Sequence, residues 1–439
     1  MLVEEAVKSA MRSGADEAEG FEISVRRISL SVEKGVLKTA SSIRETGLGV
    51  IAVIGKKLGI AFATNPIDGQ SVGKRAYINA KASPEDPDFQ SLPDPREVEL
   101  MDCVMDPRIR DAEVDDASSL FMESIDAAKV SRSIVSVSGI FDLIYSEVSI
   151  FSSRGVDARE RRTSYHVFLE VSAKDGDRRG SGFNFSDGRE LDSLDPRRLG
   201  EEAGEIALMS LDSTRIGVEE LPVIFKPKSL YAIIPFIVDQ AANAENLHYG
   251  RSFLTGRLST QVAREGVSLI DDGRIPWLIG SSSFDDEGIP KGRTVVIDKG
   301  VFKSPIYNWY AAKREGREST GNASRDYRRA PSISANNVLL QAPGLEMSED
   351  ELIDVNRGIL VLYTWDTPNL ATGEFSGMAE TAFLIERGEI KKSLRQTGIA
   401  FTIEGALKGL EGVGKEVEPA GRYYGGSIRI RARVSGPGL

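Results

Sequence analysis

The first 212 residues carry one pattern twice, and no other feature restricts the fold as strongly. Copy one opens with a helix in which Val3, Ala6, Val7, Ala10 and Met11 recur at helical spacing, with Gly14 as its stop. Phe21, Ile23 and Val25 then alternate on one face of a strand, and the alternation resumes one step out of phase at Ile28, Leu30 and Val32. That phase change predicts a β-bulge at Arg26-Arg27. An apolar run over 48–54, a turn over 55–59 and a short strand over 60–63 read as a hairpin. Copy two begins with a clearer helix, set by Ala117, Leu120, Phe121, Ile125 and Ala128. Strand material follows over 134–151. A second strand alternates Tyr165, Val167, Leu169 and Val171, turns at Asp175-Gly176-Asp177 and closes over 182–185. GLGVIAVIGKKLGIAFATNPIDG thus corresponds to TSYHVFLEVSAKDGDRRGSGFNFSDG, and each copy ends in a helical segment, 70–82 and 196–212.

Four prolines (Pro84, Pro87, Pro93, Pro95) mark an extended connector between the copies. The character of the chain changes again near Leu221-Pro222. The expected organisation is an N-terminal α/β subdomain over 1–83, a Pro-rich connector over 84–111, a second α/β subdomain over 112–218 and a β-rich domain over 219–439. The last begins with an apolar helical region over 230–244 that Pro235 starts or kinks, and continues in short strands and glycine turns. The fold class is α+β: a duplicated helix–β-hairpin–helix unit, then a β-rich antiparallel domain with few helices. Its final strand, 427–434, alternates Ile428, Ile430, Ala432 and Val434 with Arg429, Arg431 and Arg433. The arginine face reads as an anion-binding stripe or, more simply, as the solvated face of an edge strand.

Composition removes several chemistries. The 439 residues hold 55 Lys+Arg against 66 Asp+Glu, a net charge of −11 that disfavours sequence-independent nucleic-acid binding. A single cysteine, Cys103, excludes an internal disulfide framework and any multi-cysteine metal site. No apolar run is long enough to span a bilayer, and the MLVEEAVKSAMR start reads as an amphipathic helix rather than a signal peptide, so a cytoplasmic protein is expected. Only His166 and His248 supply imidazole. His166 falls on the polar face of its strand and reads as a surface residue. His248, in ENLHYGRSF, is a weak candidate general base or a loop histidine with one hydrogen bond. There is no HExxH spacing, no GxSxG turn and no GK[ST] phosphate loop. Asp285, Asp286 and Glu287 can bind a hard cation or divide acid and base roles. Consecutive residues point to different sides, however, and a turn whose aspartates cap backbone N–H groups is the simpler reading.

Several C-terminal segments occur in the order characteristic of the TldD/PmbA family, often labelled modulator of DNA gyrase. RSFLTGRLSTQV (251–262) resembles its SfLxdxLG element, and SSFDDEGIPKGRTVVIDKGVFKSPIYNWYAAKREG (282–316) resembles its DdEG stretch. STGNASR (319–325) resembles TGNaxR, NVLLQAPG (337–344) the Nl.lxpG element, and ATGEFSGMAETAFLIERGEI (371–390) the vTGdfS element. The family's TIAGN element survives only as QTGIAFTIEGAL (396–407). The motif positions Arg251, Ser252, Phe253, Asp285, Asp286, Glu287, Thr320, Gly321, Asn322, Thr372, Gly373, Phe375 and Ser376 are, by this resemblance, candidate cleft residues.

TldD-type members of the family carry HExxxH and a late cysteine and are implied to be zinc peptidases; PmbA-type members, also called TldE, lack these ligands and pair with a TldD-type chain. Here the corresponding helix reads PFIVDQAANAENLHYG, with Val238, Asp239, Gln240 and Asn243 at the position of the zinc motif, and the C-terminal Gly-rich turn has no cysteine. The resemblance therefore implies a PmbA-type chain with no cofactor of its own. Zinc is expected in a TldD-type paralogue, peptide or unfolded polypeptide is the expected substrate, and the assembly is a homo- or heterodimer without membrane contact. The alternatives are a non-enzymatic homodimeric regulator of the gyrase-modulator kind and a hydrolase using His248 with Asp285 or Glu287.

Overall fold

A computed structural model describes residues 1–436. In copy one, α1 (Leu2–Arg12), β1 (Glu17–Glu33), β2 (Val36–Ile54), β3 (Lys57–Thr64) and α2 (Gln70–Ala82) follow in order. Copy two consists of α3 (Pro107–Asp111), α4 (Val114–Ala127), β4 (Ile134–Ser152), β5 (Asp157–Asp175), β6 (Arg178–Gly188) and α5 (Pro196–Met209). The six strands form one sheet in the order β3-β2-β1-β4-β5-β6, antiparallel throughout. The copies meet where β1 pairs with β4, so the repeat becomes a pseudo-twofold about the centre of one sheet.

The helices of each copy pack on one face of the sheet, and both copies use glycine where they cross. A Cβ on Gly73 of α2 would lie 2.0 Å from the Ala6 carbonyl oxygen of α1, and one on Gly200 of α5 would lie 2.2 Å from that of Ser124 of α4. Gly59 of β3 lies against Ala76 and Ala80 as Gly182 of β6 lies against Ala203 and Ala207. Bare backbone at these points lets the elements approach closely enough to close the two small cores, one around Val3, Val50 and Val72 and the other around Phe121, Phe141 and Leu169.

The expected bulge at Arg26-Arg27 is not there. β1 pairs without interruption from Glu17 to Ser31, and its register shift falls between Ser31 and Val32. The hydrophobic pattern changes phase because the strand is covered on different faces along its length. Ile28, Leu30 and Val32 pack under the copy-two helices, whereas Phe21 packs with Phe284 and Tyr327 of the C-terminal domain.

The C-terminal domain is β-rich, with short helices. One large sheet includes the strands Glu219–Phe225, Arg357–Tyr363, Thr381–Glu386 and Ile428–Ser435; a second includes Ser268–Asp272, Arg293–Asp298 and Val338–Gln341. Pairing is mostly antiparallel, but Glu219–Phe225 runs parallel to Arg357–Tyr363. The last strand alternates as expected, with Ile428, Ile430, Ala432 and Val434 buried. It is not an edge strand, however: it pairs with Glu219–Phe225 on one side and with Gly412–Gly414 and Thr397–Thr402 on the other. Of its arginines, Arg429 and Arg431 pair with Glu411.

Two further contacts are prominent where copy one docks onto this domain. Tyr327 lies directly on Gly47 and Gly49 of β2 and meets Thr64 through its hydroxyl at 2.6 Å. Glu19 and Arg325 form a buried ion pair at 2.8 Å, with the guanidinium over the Phe21 ring.

Candidate functional site

The segment matching the family's zinc helix is short and irregular. After the strand Glu219–Phe225 the chain winds through Ile234–Phe236 and Ile237–Ala241, where Ala242 N–H donates to Ile237 O at 2.8 Å, an i→i−5 turn. Pro235 contributes no N–H to this turn, which helps to keep the helix short. Val238 is fully buried in the core. Asp239 turns the other way and accepts three hydrogen bonds, from Ser334 Oγ at 2.7 Å, Ala335 N–H at 2.7 Å and Gln240 Nε2 at 2.5 Å. Arg422 Nη1 donates to Ser334 Oγ at 2.7 Å and extends the chain of contacts. Asn243 caps the short helix Ala244–His248 by accepting from Glu245 N–H, and donates to Asp239 O and Ile333 O.

Zinc needs imidazole, thiolate or carboxylate donors converging on one point. These four side chains do not fit it: Val238 is in the core, Asn243 is an amide spent on capping, Gln240 is an amide held by Asp239, and the Asp239 carboxylate already holds three donors. Among the described residues no group of three or more His, Cys, Asp or Glu is placed to hold a metal ion.

Asp239 and Gln240 line a cleft of about 700 Å³ together with Asp187, Tyr231, Pro235, Phe236, Ile279, Thr367 and Arg422. It opens between the end of β6 and the C-terminal domain. At its edge Asp187 accepts from His166 Nδ1 at 2.5 Å, and this contact raises the His166 pKa above its ordinary value. His166 is thus half-buried in an ion pair rather than a free surface group.

The other motif positions fall into two groups. Phe253 and Gly373 meet: a Cβ on Gly373 would lie 3.1 Å from the Phe253 ring, and Phe253 N–H donates to Leu370 O. Phe375 stacks on Phe401 in the core, while Thr372 and Ser376 are exposed. Ser252 is buried and donates to Ala241 O, tying this motif to the zinc-helix segment. Arg251 lies over the Tyr249 ring at the surface.

The second group is a buried polar network. Thr320 Oγ1 accepts from Tyr307 N–H and donates to Asn322, and Asn322 donates to Asp271 Oδ2 at 2.7 Å. Gly321 holds a positive φ of 72° because Pro290 O leaves no room for a Cβ. Asp271 also accepts from Asn336 N–H and Nδ2; burial nevertheless pushes its pKa up to about 6. Asp285 accepts from the N–H groups of Glu287, Ile289 and Ala323, and Asp286 from that of Arg325. Glu287 accepts from Trp309 N–H. These acids cap backbone, as the turn reading anticipates. Burial raises the pKa of Asp285 and Glu287; the charge of Asp286 adds to the effect at Asp285, and those of Asp285 and Glu19 add to it at Glu287.

His248 ends the short helix Ala244–His248 rather than lying in a loop. Its carboxylate neighbour is Glu315 at 4.0 Å, not Asp285 or Glu287, and its ring meets Tyr249 edge-on.

Sequence reasoning missed a group of cations behind the cleft. Arg189 is buried and donates to Thr163 O, Leu278 O and Ile279 O; Lys291 Nζ donates to Gly280 O at 2.9 Å. Burial and the neighbouring Arg162, Arg422 and Arg189 lower the Lys291 pKa to about 7. Burial, Arg162 and Arg422 lower that of Arg189 to about 9. The four come from separate strands and turns, and only GRE at 188–190, a charged triplet closing an apolar strand, hints at any of them.

Three family models cover most of the chain: PmbA/TldA metallopeptidase domain 1 over 18–80, the central domain over 107–211 and the C-terminal domain over 218–436. A metalloprotease PmbA homolog of Haemophilus influenzae is 23% identical over 98% of this chain and 94% of its own length. A metalloprotease TldD homolog of the same organism is 26% identical over 83% and 78%. The crystal structure of TldE from Thermococcus kodakarensis superposes with a TM-score of 0.90 at 25% identity, covering 99% of this chain and 100% of the other. The ordered motifs, the duplicated sheet and these three matched domains together make the chain a member of the PmbA/TldD metallopeptidase family.

Proposed function

We propose that this chain is the non-zinc-binding, PmbA-type subunit of a cytoplasmic TldD/PmbA-type metallopeptidase acting on peptides or unfolded polypeptides, with a TldD-type paralogue supplying the zinc. The observation that carries this reading is the state of the zinc-motif positions: Val238 packs in the core, Asn243 caps a helix, and Asp239 is consumed by Ser334, Ala335 and Gln240. A site built this way holds a helix against a strand instead of a Lewis acid. On this reading the chain contributes cleft walls and stability, and the partner contributes the zinc-activated water.

Co-expression with a TldD-type paralogue tests it. The two chains should elute together on gel filtration, with about one zinc per pair, and peptide hydrolysis should require both. Persistent separation of the chains, or stoichiometric zinc on this chain alone, would overturn the reading. Recovery of the chain with a topoisomerase subunit and no zinc-bearing paralogue would favour the homodimeric regulator instead.

A further inference from the structure

The cleft at the zinc-motif position has features that the loss of metal does not explain. Arg422 lines it, and among the described residues only its Nη1 has a hydrogen-bond partner, the Ser334 hydroxyl. The remaining donors are not buried, and no carboxylate of the described residues pairs with them. Arg189 and Lys291 are near enough to Arg422 and Arg162 to feel their charge. Arg189 and Lys291 are satisfied by backbone carbonyls, which carry no net charge. Arg162 is paired with Glu160, and Asp286 lies 3.8 Å from it. Arg162 is thus offset by two carboxylates, and burial leaves Lys291 only partly protonated near neutral pH. Arg422 and the backbone-held Arg189 are therefore the cations here without a carboxylate partner among the described residues. Ile279, whose carbonyl holds Arg189, itself faces the cleft.

Part of the wall is apolar. Tyr231, Pro235 and Phe236 form it, and Tyr231, whose ring lies against Gly421, is 41% exposed although it packs edge-on against Phe185. Phe185 continues into Phe183, Tyr363 and the half-exposed Trp365, so the wall is the end of a larger aromatic cluster. Gln240 also lines the cleft; among the described residues its Oε1 has no hydrogen-bond partner, while its Nε2 is held by Asp239. Two carboxylates also border the space, Asp187 and Asp239. They disfavour a multiply charged anion such as phosphate more than a single carboxylate, and His166 and the three Asp239 donors offset part of their charge.

We propose that this cleft is a binding site, without hydrolytic chemistry of its own, for the carboxyl-terminal end of a short peptide: the terminal carboxylate on Arg422, an apolar or aromatic side chain against Tyr231 and Phe236, and a peptide N–H on Gln240. A guanidinium fork matches a carboxylate in shape and charge. A volume of about 700 Å³ suits two or three residues. The site does not depend on a zinc-bearing partner, so its failure would leave the subunit reading untouched, and the converse also holds.

Isothermal titration calorimetry on the full chain tests the assignment with four probes: N-acetyl-Ala-Phe, its C-terminal amide, N-acetyl-Glu-Phe-amide and inorganic phosphate. The free acid should bind at least about tenfold more tightly than its amide, as expected for a charge-assisted contact. Arg422→Gln should abolish that difference, Arg422→Lys should restore part of it, and Tyr231→Ala should weaken acid and amide by the same factor. An unchanged urea midpoint for each variant shows that folding is intact. No binding, equal binding of acid and amide, or discrimination that survives Arg422→Gln overturns the proposal. Equal binding of the glutamyl amide would assign the site to a side-chain carboxylate, and equal binding of phosphate to a general anion; either result overturns the C-terminal assignment.

Discussion

The two copies of the N-terminal repeat use the same wiring but treat the far half of their middle strand differently. In copy one, β3 reaches only as far as Gly47, paired with Thr64, so the first half of β2 has no strand partner on its outer edge among the described residues. Residues 36–45 are almost all exposed, Val36 to 57% and Ile43 to 61%. In copy two, β6 stops at Tyr165, and β5 would be bare in the same way. There the connector covers part of it: Thr163 N–H donates to Val104 O, Asp106 N–H donates to Thr163 Oγ1, and Val98 packs with Val156, Ala158 and Phe284. A strand pattern thus specifies the strand but not the fate of its edge, which depends on what the rest of the chain lays alongside it. Lys38 and Arg44 on the open edge of β2 discourage pairing with another chain.

The copies also dock differently on the C-terminal domain. Copy two reaches it through cation-to-carbonyl contacts, Arg162 to Phe284 O and Arg189 to Leu278 O and Ile279 O. Copy one docks through Tyr327 and through the Glu19–Arg325 pair, in which Glu19 Oε2 and Arg325 Nε and Nη2 have no hydrogen-bond partner among the described residues. Burial raises the Glu19 pKa despite the guanidinium beside it. An ion pair left so incompletely bonded is strongly destabilising to break and cheap to replace as a whole. Arg325→Met alone should therefore cost about 3–5 kcal/mol by urea unfolding, and Glu19→Leu with Arg325→Met should recover most of it. A double variant as unstable as the single one would mean that the charges themselves hold copy one in place.

A smaller effect tests the equivalence of the helix crossings. Gly73→Ala and Gly200→Ala each put a methyl group within about 2 Å of a carbonyl oxygen, and each should cost about 1–3 kcal/mol. Similar losses would support one packing device used twice; a loss in only one copy would show that the other crossing can spread.

The smallest effect belongs to copy two alone. Asp187 holds the His166 pKa above its ordinary 6.5. The pair therefore stabilises the fold fully below about pH 6.5, and this contribution fades as pH rises through the raised folded value. Because His166 is partly exposed, the gain is a few tenths of a kcal/mol. Asp187→Asn should flatten the dependence of the urea midpoint between about pH 5.5 and 8.5, and an unchanged slope would assign it to other groups.

Much of this was legible in the residues. Helical spacing in α1 and α4, alternation in β5 and the Gly55 and Gly176 turns mark elements whose periodicity comes from a single buried face. The capping role of Asp285 was also readable, because consecutive acids cannot converge on one ion. Where one strand serves two surroundings the same logic failed: β1 faces helices at Ile28 and the C-terminal domain at Phe21, and the change of phase mimicked a bulge. The last strand showed its buried face but not its neighbours, since alternation carries no information about hydrogen-bonded edges. Among the site residues, the motif order brought Phe253 to Gly373 and Thr320 to Asn322, while the pairing of His248 with Glu315 was not foreseeable.

The sequence by itself determined the local elements, their duplication, the family and the shortage of imidazole and thiolate, because each is a property of residue type and spacing. The tertiary structure alone decided that Arg162, Arg189, Lys291 and Arg422 share one space and that Asp239 is spent on Ser334 and Ala335. Apart from Arg162 and Arg189, these groups come from segments about 90 to 260 residues apart, and their energy depends on burial and distance, which no local pattern records.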